Sequence, residues 1–226
     1  MLTDYHCHIL PGIDDGAADE KISAAMVQMM HEQGVERIVA TPHFYSHRER
    51  SVERFLEKRK AAFESMVSQG LPIDDIRVGS EVAIEHGLSE LKDIEKLRIE
   101  GTDLILLEFP YTKFADWMLE EIDNIASGYG LKPVIAHIHR YLRYYSKSEL
   151  EMALGLDAIY QINNEAFESF SERRLVKRLI KDEYPLIFGS DSHNLDSRKP
   201  NWDVLKKKCD EGVIDEANEV LDEHLD

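Results

Sequence analysis

TDLILLEFPYTKFADWMLEEIDNIASGYGLKPVIAHI, residues 102–138, is the stretch whose reading decides the fold. Its first eight residues hold the apolar run Leu104, Ile105, Leu106 and Leu107, the pattern of a strand buried on both faces. "ADWMLEEIDNIASGYG" places apolar side chains at helical spacing and stops on a glycine, and "KPVIAHI" returns to a strand-like run. Strand, helix and strand in that order predict a parallel pair joined by a crossover. The two strands also end alike, one on Glu108 and the other on His137.

The same unit recurs on both sides. Towards the N-terminus lie the strand-like "LTDYHC", a helix over "DEKISAAMVQMMHEQG" capped by Gly34, and "ERIVAT" running into Pro42 and His43. "SVERFLEKRKAAFESMVSQG" predicts a second helix, "IRVGSEVA" a third strand and "SELKDIEKL" a short helix. Beyond residue 138 the helix "SKSELEMALG", the strand "DAIYQIN", the helix "SERRLVKRLIKDEY" and the strand "PLIFGS" precede a helical tail. Seven strands separated mainly by helices predict an α/β fold with a parallel sheet, close to a closed barrel. No linker or change of composition divides the chain, so residues 1–226 are expected to form one domain.

Composition narrows the function. A formal net charge of -17 argues against nucleic-acid binding, which needs clustered Lys and Arg. No apolar run reaches membrane-spanning length and the first residues lack the pattern of a signal peptide, so a cytoplasmic protein without membrane insertion is expected. Two cysteines, Cys7 and Cys209, indicate no disulfide framework. Neither starts a Cys-x5-Arg loop, which excludes a thiolate phosphatase, and Cys7 is expected to pack in the core.

Barrel enzymes gather their chemistry where strands end and the following loops begin. His6 and His8 end strand one, with Asp15 in the loop behind; His43 follows strand two; Glu81 and Glu108 close strands three and four. His137 ends strand five, and Asp191 and His193 follow strand seven, while strand six offers only Asn163 and Asn164. One such histidine or acid is ordinarily a hydrogen-bonded structural residue. Nine converging at one end would repel or neutralise one another unless cations held them. Imidazole mixed with carboxylate, and no thiolate, suits divalent Mn, Fe or Zn. The four carboxylates bring a charge of -4 and three divalent ions +6, leaving about +2, a setting that attracts a phosphate dianion.

The motifs "DYHCH", "DDG", "TPH", "GSE", "LLEFP", "AHIHRY" and "GSDSHNLDSR" together resemble the PHP (polymerase and histidinol phosphatase) superfamily. Within it they are most similar to the CpsB/YwqE type of bacterial protein-tyrosine phosphatases of capsular and exopolysaccharide synthesis. The likeness runs from the first strand to about Pro200. It implies a distorted (β/α)7 barrel, TIM-barrel-like, with three divalent metal ions, manganese foremost and iron or zinc as alternatives. The implied metal ligands are His6, His8, Asp15, His43, Glu81, Glu108, His137, Asp191 and His193, and the implied phosphate-binding, catalytic arginines are Arg140 and Arg198. The implied substrate is a phosphotyrosine protein, a bacterial tyrosine kinase, with oligomerisation left open. His139 stands where these relatives usually carry Glu; it either points into the site or is a surface substitution, and the second is the expectation. Tyr45, Tyr111, Tyr141 and Phe114 could form an aromatic rim or simply pack. The alternatives are a histidinol-phosphate-type or general phosphomonoesterase and, in another class, a non-catalytic metal-binding scaffold.

Overall fold

Parallel pairing governs every strand in the computed structural model, which describes residues 1–49 and 51–226. In chain order the strands are β1 (Thr3–Cys7), β2 (Arg37–Ala40), β3 (His43–Phe44), β4 (Asp75–Val78), β5 (Glu81–Ala83), β6 (Leu104–Glu108), β7 (Lys132–Ile135), β8 (Ile159–Asn163) and β9 (Leu186–Gly189). The helices are α1 (Glu20–Glu32), α2 (Val52–Val67), α3 (Asp116–Tyr129), α4 (Lys147–Ala153), α5 (Phe170–Lys181), α6 (Trp202–Lys208) and α7 (Glu211–Glu223).

Nine strand segments trace the seven paths expected. β2 and β3 are pieces of one path broken at Thr41-Pro42, where proline cannot donate to the ladder. β4 and β5 are likewise broken at Gly79-Ser80, and bonds from Gly79 N to Ala40 O (2.8 Å) and Glu81 N to Pro42 O (3.0 Å) carry the pairing across. The ring closes between β9 and β1: Asp191 N donates to His6 O (2.7 Å) and His8 N to Ser192 O (2.9 Å). The short helix expected over residues 89–97 is instead two 3-10 turns, Leu88–Glu90 and Ile94–Leu97, separated by Asp93 in a left-handed conformation (φ 65°) that no α-helix can continue through.

Strand alternation sorts the side chains into two cores. Val27, Met30, Phe55, Ile122 and Leu179 lie between barrel and helices, with Cys7 among them as expected. Tyr5, Val39, Leu104, Leu106, Val134, Ile159 and Ile187 form a second cluster, which Leu221 of α7 joins. Tyr5 Oη accepts from Leu221 N at 2.9 Å, and Arg37 bridges Asp75 and Asp222, so α7 seals the end at which the strands start. Along one face the character then changes: Leu104 and Leu106 lead to Glu108, and Ile159 leads to Gln161 and Asn163. The barrel is thus apolar where its strands begin and ionisable where they end.

Candidate metal centre

All nine sequence-selected His, Asp and Glu residues meet at that second end. Three groups of donor atoms lie within 4.8 Å of one another: His8, Asp15, His43 and His193; His6, His8 and Glu81; and His43, Glu81 and Glu108. The remaining two adjoin them. His137 Nε2 is 2.8 Å from Glu81 Oε1, and Asp191 Oδ1 lies 3.4 Å from His8 Nε2 and 3.7 Å from His6 Nε2. Glu81 is central, its Oε2 within 3.2 Å of both His6 and His8 and 3.0 Å from His43 Nδ1.

Local backbone devices aim these groups. A register shift between Asp4 and Cys7 in β1 accompanies the placement of both histidines in the centre with the thiol outside. Asp4 is buried beneath them, accepting from Ser190 N, His6 N and Trp202 Nε1, which ties β1 to β9 and α6. His137 and Asp191 both sit in left-handed conformations, at φ 33° and 48°. Non-glycine residues adopt that region at a cost of order 1–3 kcal/mol, and such strain clusters at functional sites. Gly16 is required by space: a Cβ there would lie 2.2 Å from His8 O.

A second ring of side chains fixes the first. Asp14 Oδ2 accepts from His8 Nδ1 (2.8 Å) and from His43 N (3.0 Å), and Gly16 N bonds its other oxygen. Burial works against the Asp14 charge, but the His8 hydrogen bond and charge prevail and hold the carboxyl at about 2. Gln161 Oε1 takes His6 Nδ1 (3.1 Å) and His137 N (2.7 Å), and Asn163 Nδ2 donates to Asp191 Oδ2 (3.0 Å) and Glu165 Oε1 (2.9 Å). Asp14, Gln161 and Glu165 were absent from the sequence selection. An Asp-Asp pair cannot reveal which member faces the centre, whereas Gln161, a polar residue inside an apolar strand, was a readable signal.

Arg140 and Arg198 converge on Asp191. Arg140 Nη2 lies 2.7 Å from its Oδ2 and 2.8 Å from Glu165, and Arg198 Nη2 is 3.0 Å from both Asp191 oxygens. With Tyr45, Tyr111, His43, Glu81, Glu108 and His137 they line an open cavity of about 380 Å³. Of the four proposed rim aromatics, only Tyr45 and Tyr111 border it. Tyr141 is buried with its hydroxyl on Phe109 O, and Phe114 packs against Phe109 and Tyr145. His139 is wholly buried rather than at the surface, because the 3-10 turn Ile138–Arg143 folds it inward beside Arg140, and among the described residues both its ring nitrogens lack a hydrogen-bond partner.

The donor set fits divalent cations. Among the described residues Glu81 Oε2, His43 Nδ1 and His193 Nε2 are buried without a well-aligned hydrogen bond, though each lies among other ligand atoms. Buried polar atoms are rarely left so. Burial and the neighbouring Glu81 charge push Glu108 up to about 8, and burial lowers His137 to about 4, with Arg140 adding to the fall. His193 is lowered as well, whereas His6, His8 and His43 are raised, so without cations the imidazoles must offset the crowded carboxylates themselves.

A closed parallel barrel with His, Asp and Glu gathered at the C-terminal ends of its strands defines a barrel protein with a candidate metal centre. The family profile "Capsular polysaccharide synthesis, CpsB/CapC" matches residues 2–221, and the chain belongs to that family. It is 29% identical to the tyrosine-protein phosphatase CpsB of Streptococcus pneumoniae, over 92% of this chain and 90% of the relative. The identity to the tyrosine-protein phosphatase YwqE of Bacillus subtilis (strain 168) is also 29%, covering 87% and 79% of the two chains. A crystal structure from work on YwqE of Bacillus subtilis and CpsB of Streptococcus pneumoniae, described as unique metal-dependent tyrosine phosphatases, superposes with a TM-score of 0.79 at 24% identity, over 99% of this chain and 95% of that one. The phosphotriesterase homology protein of Escherichia coli shares the fold more distantly, with a TM-score of 0.51, 11% identity and coverage of 95% and 94%.

Proposed function

We propose that the chain is a single PHP-type domain, residues 1–226, that hydrolyses phosphotyrosine in proteins with the help of divalent metal ions. The observation that carries this is the convergence of nine His, Asp and Glu side chains beside an open cavity, which five of them line together with Arg140 and Arg198. Membership of the capsular polysaccharide family and likeness to curated tyrosine phosphatases support it. The partner this reading implies is a bacterial tyrosine kinase of capsule or exopolysaccharide synthesis, met in the cytoplasm. Among the described residues no helix is long and apolar enough to cross a membrane, and both cysteines are free.

His6, His8, Asp15, His43, Glu81, Glu108, His137, Asp191 and His193 would hold the ions, three of them and manganese by this reading. When bound, such ions neutralise phosphoryl charge and make water a nucleophile near neutral pH. The chain's own residues supply the rest. Arg140 and Arg198 present planar forks to the non-bridging phosphoryl oxygens, a match that Lys cannot copy. Glu165 and Asp191 hold the Arg140 guanidinium in place against the entropy of a long side chain. The tyrosyl leaving group has a phenol pKa of about 10, so it departs with less protonic help than an alkoxide. Tyr111, whose hydroxyl is 3.4 Å from His137 Nδ1, offers a ring face at the cavity mouth for that phenol.

The test is phosphate release from phosphotyrosine peptides by the purified protein with and without manganese. Stimulation by manganese and abolition by a chelator are expected. Inertness towards these peptides alongside cleavage of histidinol phosphate would move the protein to the other phosphomonoesterases.

A further inference from the structure

The cavity holding Arg140 does not end at the metal centre. Across Arg140 and Tyr111 it meets a second cavity, lined also by His139, Arg143, Tyr144, Glu165 and Glu172, in which the two arginines are paired with the two glutamates. The neighbouring residues Leu142 and Ser171 belong to a third, a groove of about 420 Å³ between α4 and α5. Phe170 on its edge is 75% exposed and Leu142 36%, and Tyr144 of the adjoining cavity is 49% exposed. Large apolar side chains gathered and bared in this way mark contact surfaces more often than scattered single ones do.

Charge says what kind of contact. The chain carries -17 overall, yet α5 holds Arg173, Arg174, Lys177, Arg178 and Lys181 against the single acid Glu172. Within the groove Arg178 is paired with Glu151, whereas Lys147 and Arg174 have no ion-pair partner among the described residues. A basic, aromatic strip complements an acidic polypeptide, whereas pairing it with the same strip of a second copy would set like charges against each other.

We infer that this strip docks the acidic residues flanking the phosphotyrosine of a protein substrate, holding them along Tyr144, Phe170, Lys147 and Arg174 while the phosphate sits at Arg140. This deepens the phosphotyrosine reading and rests on it for the anchored residue. Exposed ion pairs are individually weak, so the groove acts as a selectivity element of modest strength that fades with salt.

The test measures affinity for peptides carrying a non-hydrolysable phosphonate analogue of phosphotyrosine, flanked by three glutamates or by three glutamines. Turnover of p-nitrophenyl phosphate is followed in parallel. At low ionic strength the native protein should prefer the acidic peptide about fivefold, from two or three exposed pairs. Lys147→Glu/Arg174→Glu should erase that preference, Phe170→Ser should weaken binding of both peptides, and both variants should turn over p-nitrophenyl phosphate at the native rate. Equal affinity for the two peptides, or a preference surviving the double charge reversal, overturns the inference. So does retention by phosphatidylserine vesicles without peptide discrimination, or a dimer in solution that Phe170→Ser dissociates. Discrimination without p-nitrophenyl phosphate turnover would leave the docking strip standing and remove the phosphatase reading instead.

Discussion

Arg140 is the residue whose replacement separates binding of phosphate from binding of metal. Its guanidinium reaches Asp191 and Glu165 from a 3-10 turn outside the donor clusters. Arg140→Ala should therefore lower kcat/KM for a phosphotyrosine peptide about 10²-fold, as loss of one preorganised donor does, with metal content by elemental analysis unchanged. Asp14 acts the other way. It lies outside the cavity lining and orients His8, so Asp14→Asn should weaken divalent metal affinity about 10–100-fold, read by calorimetric titration. Much of this scale was legible in the sequence, because a barrel exposes the ends of its strands and each strand ending could be inspected. What could not be read was the second ring. Which aspartate of Asp14-Asp15 faces the centre depends on loop geometry, and the inward turn of His139 depends on a 3-10 segment with no periodic signature.

Among the elements, the loop after β1 carries the tightest constraint. Gly16 N bonds Asp14, and a Cβ on Gly16 would also approach His8 Cβ to 2.5 Å. Gly16→Ala should cost about 1–3 kcal/mol of stability, measured by urea denaturation, and should disturb metal binding through Asp14 and His8. The strand and helix order followed from the change between apolar runs and helical spacing, since burial on both faces leaves so plain a mark. The interruptions at Pro42 and Gly79 were less visible. They divide two paths into four segments without altering the barrel, and β3 and β5 then deliver His43 and Glu81 side by side in register.

For the whole molecule, charge and pH connect folding to the metal centre. Glu108 is pushed from its ordinary 4.5 up to about 8, so without cations its ionisation opposes the folded state increasingly as pH rises between those values. Asp14, held at about 2 against an ordinary 3.8, contributes stability that is complete above 3.8 and fades as pH falls towards 2. Added manganese should therefore raise the melting temperature more at pH 8 than at pH 6, and its uptake should release protons, both accessible to thermal melts and to calorimetry in buffers of different ionisation enthalpy. Closure of the opposite end by Leu221 of α7 is purely structural: Leu221→Ala should cost about 2–5 kcal/mol while leaving metal content intact. The most direct test is elemental analysis of the purified protein alongside a titration of phosphotyrosine-peptide hydrolysis with manganese. Activity that rises with bound divalent metal towards about three ions per chain, and vanishes on chelation, is the predicted result. Hydrolysis that persists in metal-stripped protein, or a chain that binds no divalent ion, would contradict it.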